Sequence, residues 1–163
     1  MTRDERVELI QGEIIDMVPI GSRHAALVNK LNRCLVESIG ERAIVAVQQP
    51  IRLGQHSEPQ PDIALLKPRA DFYDATHPAA VDVLLLVEIS DTSLRYDREI
   101  KMPLYARHAI PEVWLIDVQA KELICLREPM TDRYISSVAI RSGALEVAAL
   151  PSVVVDLAWL FNY

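Results

Sequence analysis

Apolar positions along the chain change their spacing several times, and each change marks an element. In "RVELIQGEIIDMVP" they alternate around Gly12, which predicts two short strands meeting at a turn that glycine relaxes. Ala25, Val28, Leu31, Leu35 and Ile39 then recur at helical spacing, with Leu27 and Cys34 widening the stripe. Ser22 is placed to cap this helix and Gly40 to end it. "AIVAVQQPIRL" is β-branched and strand-like, and Pro50, which has no N–H to give to a ladder, places it at an edge or a bulge.

Two continuous apolar runs, "DIALL" and "VDVLLLVEIS", flank the loop-like "KPRADFYDATHPAA". Runs of this kind are most easily buried on both faces, so they are predicted to be the central strands of a sheet covered by helices. Ile100, Leu104 and Tyr105 suggest a helix between Asp97 and His108, which Pro103 permits only near its first turn. "EVWLIDV" and "ELICLRE" read as strands joined at "QAK", followed after Pro129 by an antiparallel strand, "RYISSVAI". "VVVDLAWLFNY" supplies a last strand or short helix that seals the core. The expected fold class is α/β, a central mixed β-sheet flanked by helices with an added antiparallel β region.

With half of its 163 residues hydrophobic, the chain can bury one full core, and one domain over residues 1–163 is expected. Seventeen Lys and Arg against 23 Asp and Glu give a net charge of -6, which argues against a broad non-specific nucleic-acid surface. A local basic patch, or a nuclease centre whose metals offset its acids, is compatible with that balance. Cys34 and Cys125 lie in apolar patterns and read as small buried hydrophobes in a reducing compartment. The charged start "MTRDERVELI" lacks the apolar stretch of a signal peptide, and no apolar run approaches the roughly 18 residues of a membrane span. A cytoplasmic location without membrane association is therefore expected.

Asp62 opens one apolar run and Glu88 lies near the end of the other. If sheet pairing brings them together they form a hard, oxygen-rich site suited to Mg2+ or Mn2+, with a phosphodiester as the natural substrate. The competing readings are plain: Asp62 as a turn residue bonded to nearby N–H groups, Glu88 in a structural ion pair, and Lys101 solvated on a helix. The charges of "RYDREIK" likewise read as a mixed, solvated helix surface.

The combination "VELIQGEIIDMVP", "SRHAALVNKLNRCL", "QQPIRLGQHSEPQPDIALL" and "VEISDTSLRYDREIKMPLYARHAIPEVWLIDV", with "VVVDLAWLF" closing the chain, resembles the Uma2-type family of restriction-endonuclease-like proteins. The resemblance implies a metal-dependent endonuclease of the PD-(D/E)xK type, with Asp62 and Glu88 as metal ligands and Mg2+ or Mn2+ as cofactor. In the common pattern a lysine lies two residues after the second acid. Ser90 holds that place here, and the resemblance points instead to Lys101 on the following helix.

It also implies an acidic residue near the site from the first hairpin, Glu8, with Glu13 as substitute. His24, Tyr105 and Gln49 are candidates for supporting roles. Gln48, Arg52 and Glu58 also border the route to Asp62. DNA is the expected substrate, and a homodimer fits, since cutting both strands often uses two sites. The alternative is a non-catalytic nucleic-acid-binding or assembly module whose acidic cluster serves structure.

Overall fold

The computed structural model describes residues 6–163. The first hairpin pairs β1 (Val7–Ile10) with β2 (Glu13–Asp16) antiparallel, Ile10 opposite Glu13. Its two-residue turn holds Gln11 at φ 53° and Gly12 at φ 84°, the doubly left-handed geometry that matches strand twist and that glycine adopts without cost.

Helix α1 (Ser22–Ile39) follows, burying Leu27, Leu31 and Leu35 almost completely. Each contributes on the order of 1.5–3 kcal/mol by leaving water. Ser22 is the helix's first residue rather than its cap. Gly21 holds the cap position, and no side chain bonds the free N–H groups there. Gly40 ends the helix at φ 58°, its N–H returning to the Val36 carbonyl.

A six-stranded mixed sheet forms the centre, in the order β3 (Ile44–Val47), β4 (Ile63–Leu66), β5 (Val83–Ser90), β6 (Glu112–Asp117), β7 (Glu122–Met130) and β8 (Arg133–Ile140). Only β5 and β6 run parallel, joined by a helical crossover. β3 is an edge strand, which explains how Pro50 is tolerated just beyond it. "RYISSVAI" forms β8 after Pro129, antiparallel to β7, as expected. β7 itself continues through Pro129 to Met130, with Glu128 at φ 61° turning the backbone just before.

The crossover is α2 (Leu94–Tyr96), a π-helical turn over Asp97–Lys101 and α3 (Met102–Arg107). Pro103 supplies a cause for the wide turn. In an α-helix its ring would crowd the carbonyl four residues back, and it has no N–H to bond there. The Met102 N–H instead reaches the Asp97 carbonyl five residues back.

Two apolar layers cover the sheet. One holds α1, the antiparallel pair β9 (Ala144–Glu146) and β10 (Val154–Asp156), and α4 (Leu157–Leu160) against Leu85, Val87 and Trp114. The other packs Met102, Leu104 and Tyr105 on Leu86, Val113 and Leu115. Cys125 is buried, whereas Cys34 is half-buried at the margin of the first layer. Glu112, the buried acid that opens β6, serves the fold: it accepts from the Trp114 indole at 2.6 Å, Arg127 at 3.1 Å and the Ala148 N–H at 2.9 Å. No helix among the described residues is long and apolar enough to cross a membrane.

Candidate active site

Antiparallel pairing sets Ile63 opposite Val87. Asp62 directly precedes β4 and so lies at the strand end that adjoins Glu88 and Ile89 of β5. The Ile89 N–H donates to Asp62 Oδ2 at 2.8 Å, which ties the start of β4 to the end of β5. His24, from the first turn of α1, places Nε2 3.2 Å from each Asp62 oxygen. Burial opposes charge on His24, but the hydrogen bond and negative charge of Asp62 outweigh it and raise the imidazole above its ordinary value. His24 Nδ1 is buried without a hydrogen-bond partner among the described residues.

Glu88 is buried, and its partners come from the crossover helix. The Tyr105 hydroxyl donates to Oε1, and Lys101 Nζ lies 2.7 Å from the same oxygen. Lys101 also donates to Glu8 Oε1 at 2.8 Å, and the Gln60 N–H reaches that oxygen at 2.7 Å. Burial by itself would lower the lysine, but Glu88, Glu8 and Asp97 hold it above its ordinary value, so Nζ stays charged. Burial pushes Glu88 well upward, offset in part by Lys101 and reinforced by Asp97, Asp62 and Glu8. Burial and the adjoining Glu88 likewise push Tyr105 up.

The structure joins Glu88, Lys101, Glu8 and Tyr105 in one hydrogen-bonded group and Asp62 with His24 in another, near enough for the charge of Asp62 to raise Glu88. It leaves Glu13 exposed on β2 and Gln49 exposed beyond β3, so neither joins them. The neighbouring Gln48 does meet Asp62, its Nε2 3.5 Å from Oδ1. "RYDREIK" is not uniformly solvated either: Arg95, Arg98 and Glu99 are exposed, while Asp97 and Lys101 are buried. Asp97 and Lys101 lie four positions apart and so share the inward face of the helix.

Asp97 is the acid that sequence reasoning missed. Ser90 and Ser93 donate their hydroxyls to its Oδ2, and burial raises its pKa above the ordinary value. The signal was present in the sequence, since Ser90 stands where the common pattern puts lysine and needs a partner if buried. Tyr96 was missed as well. Its hydroxyl is buried without a partner among the described residues, and burial with the nearby Glu8 raises it.

Replacing Tyr105 by Phe removes a donor from Glu88 while keeping the ring in place. Denaturant unfolding should show a loss of about 1–3 kcal/mol, the cost of a charged group deprived of a buried hydrogen bond. An unchanged midpoint would mean that Glu88 is satisfied without the hydroxyl.

Among the described residues no three His, Cys, Asp or Glu side chains are grouped to hold a metal. The donor set nevertheless suits a hard cation held by few protein ligands. Four buried acids, Glu8, Asp62, Glu88 and Asp97, share two buried basic partners, Lys101 and His24. Both contacts to Glu88 fall on Oε1, whereas Asp62 Oδ1 lies 3.2 Å from His24 Nε2 and 3.5 Å from Gln48 Nε2. Mg2+ is commonly bound by one or two carboxylates, with water and substrate oxygens completing the shell.

A mixed sheet between helical layers, with an acid at each of two adjoining strand ends and a lysine returned from the crossover helix, defines an α/β protein of nuclease-like fold. The family model named Uma2 and described as "Putative restriction endonuclease" matches residues 1–158, and the chain belongs to that family. Its fold is similar to that of a solved protein from Anabaena variabilis ATCC 29413 described as a "putative nuclease belonging to DUF820". The two agree with a TM-score of 0.76 at 16% identity, over 98% of this chain and 91% of that one. At that identity the likeness establishes the fold alone. No protein with a curated function matches.

Proposed function

We propose that this chain is a divalent-metal-dependent endonuclease that hydrolyses DNA phosphodiester bonds. The observation that carries the reading is the buried Lys101 ammonium, held between Glu8 and Glu88. An ammonium has three N–H donors, and two of them point at these carboxylates. The third has no further partner among the described residues and can meet a phosphate oxygen or a water, where a fixed positive charge in a water-poor site favours the negative charge that develops during hydrolysis. Lys101 stays protonated, so it acts as an electrostatic and positioning group rather than as a base.

Mg2+ or Mn2+, held by Asp62 and Glu88, would supply Lewis-acid polarisation of the phosphate and a more acidic bound water. Asp62 is oriented for that role by the Ile89 N–H and His24, and Glu88 by Tyr105 and Lys101. Glu8 anchors Lys101 from the far side, so the lysine reaches the strand end without a place on the strand itself.

One observation favours a second reading. Glu88 is already matched by Lys101 and Tyr105, as an acid serving only structure would be, so a non-catalytic nucleic-acid-binding module accounts for the same contacts. Incubation with supercoiled, linear and single-stranded DNA in Mg2+ and Mn2+ separates the two. The nuclease reading expects cleavage that chelation stops and that falls at least about 100-fold in Asp62→Ala, the scale of losing a group central to transition-state stabilisation. Binding of DNA without cleavage on every substrate would move the assignment to the binding module.

A further inference from the structure

Strand β3 ends at Val47, and Gln48 follows at φ 51°, in the left-handed region that a residue with a Cβ enters at a cost. Such strain persists only where the surroundings impose it, and it gathers at functional positions. Here the Gln48 N–H donates to the Asp62 carbonyl at 3.0 Å, which adds one rung to the β3–β4 ladder just before the chain leaves towards Pro50. The Gln48 side chain then bridges two groups. Nε2 approaches Asp62 Oδ1 at 3.5 Å, and Oε1 accepts from Arg6 Nη1 at 3.3 Å. Chemistry fixes the orientation of the amide: a carboxylate only accepts and a guanidinium only donates, so the nitrogen faces Asp62 and the oxygen faces Arg6.

Arg6 is exposed and lies two residues before Glu8, with its carbonyl tied to the Met17 N–H at 2.9 Å. A guanidinium this close to a carboxylate cluster would ordinarily be taken up by an acid. Among the described residues a neutral amide holds it instead, which orients the group without neutralising its charge.

We infer that Gln48 and Arg6 form the phosphate-gripping side of this site. Gln48 is a positioning residue that sets Asp62 and Arg6 together, and Arg6 contacts a backbone phosphate of the bound DNA strand next to the one being cut. This rests on the nuclease reading above. The planar fork of arginine suits two phosphate oxygens at once, in a way that a lysine ammonium does not reproduce.

The test compares wild type, Arg6→Met, Arg6→Lys, Gln48→Leu and Gln48→Gly on a fluorescein-labelled DNA duplex. It measures steady-state cleavage in Mn2+, DNA affinity against salt concentration, and Mn2+ affinity by calorimetry. Arg6→Met should raise KM about 10-fold with kcat little changed, and should reduce the salt slope by about one phosphate contact. Arg6→Lys should recover part of the affinity, and Mn2+ binding should be unaltered in both.

Gln48→Leu should raise KM and lower kcat together, because Asp62 and Arg6 both lose their holder. Gln48→Gly relieves the left-handed backbone and should show the same kinetic losses in a protein no less stable. Wild-type KM and salt slope in Arg6→Met, with wild type active, would overturn this inference and leave the nuclease reading standing. A wild-type protein that neither binds nor cuts the duplex would overturn both.

Discussion

Lys101→Met should cost the fold about 3–5 kcal/mol and eliminate phosphodiester hydrolysis, because it strands two buried carboxylates in one step. Lys101 is 3% exposed and is the only lysine or arginine among the buried residues described, facing Glu88 at 2.7 Å and Glu8 at 2.8 Å. On sequence alone the substitution reads as one that spares folding, since Lys101 looks like a solvated helix residue. Burial reverses that expectation. Urea unfolding at neutral pH gives the stability change, and single-turnover DNA cleavage with saturating Mn2+, at a temperature where the variant stays folded, gives the chemistry.

The double variant Lys101→Met with Glu88→Gln separates the two effects. It removes one of the stranded charges, so it should recover part of the lost stability while recovering no cleavage. Wild-type cleavage by folded Lys101→Met would remove the lysine from the mechanism. Wild-type stability would show that Glu8 and Glu88 are not held as ions.

Saturating Mg2+ or Mn2+ should raise the melting temperature of the wild-type protein, and Glu88→Gln should abolish the rise. A cation present at 100 times its dissociation constant stabilises the folded state by about 2.7 kcal/mol. For a chain of this size that corresponds to roughly 5–10 °C. Four buried acids against Lys101 and His24 supply the attraction, and Asp62 with Glu88 supplies the ligands.

Asp62→Asn should lose the rise as well, whereas Glu13→Gln, altering an exposed residue outside the cluster, should keep it. Differential scanning calorimetry with and without metal reads all three. An equal shift in wild type and in both ligand variants would place the cation elsewhere on the protein. That result would count against the metal-dependent mechanism even if DNA cleavage were seen.

Local pattern carried most of the architecture. Helical spacing from Ala25 to Ile39 gave α1, and the runs at Ile63–Leu66 and Val83–Ser90 gave strands buried on both faces. These readings succeed because burial of an apolar side chain depends on the period of its own segment. Glu88 was legible for a related reason: an acid closing a run of Leu and Val must find a partner once the run is buried.

Polar residues elsewhere were decided by contacts distant in sequence. Lys101 meets Glu8 across 93 positions, and His24 meets Asp62 across 38. Asp97 is buried and Arg98 exposed because the crossover packs the face shared by positions 97 and 101 against the sheet, a choice that the mixed charges of "RYDREIK" do not reveal. Gln48 rather than Gln49 reaches Asp62 because the backbone turns left-handed at that residue, one rung beyond the end of β3. The sequence by itself determined which segments are buried and which acids lie at their ends. Only the tertiary structure decided which polar side chains meet those acids, because a charge is held inside a protein by the partner that compensates it, and that partner arrives through packing rather than through spacing along the chain.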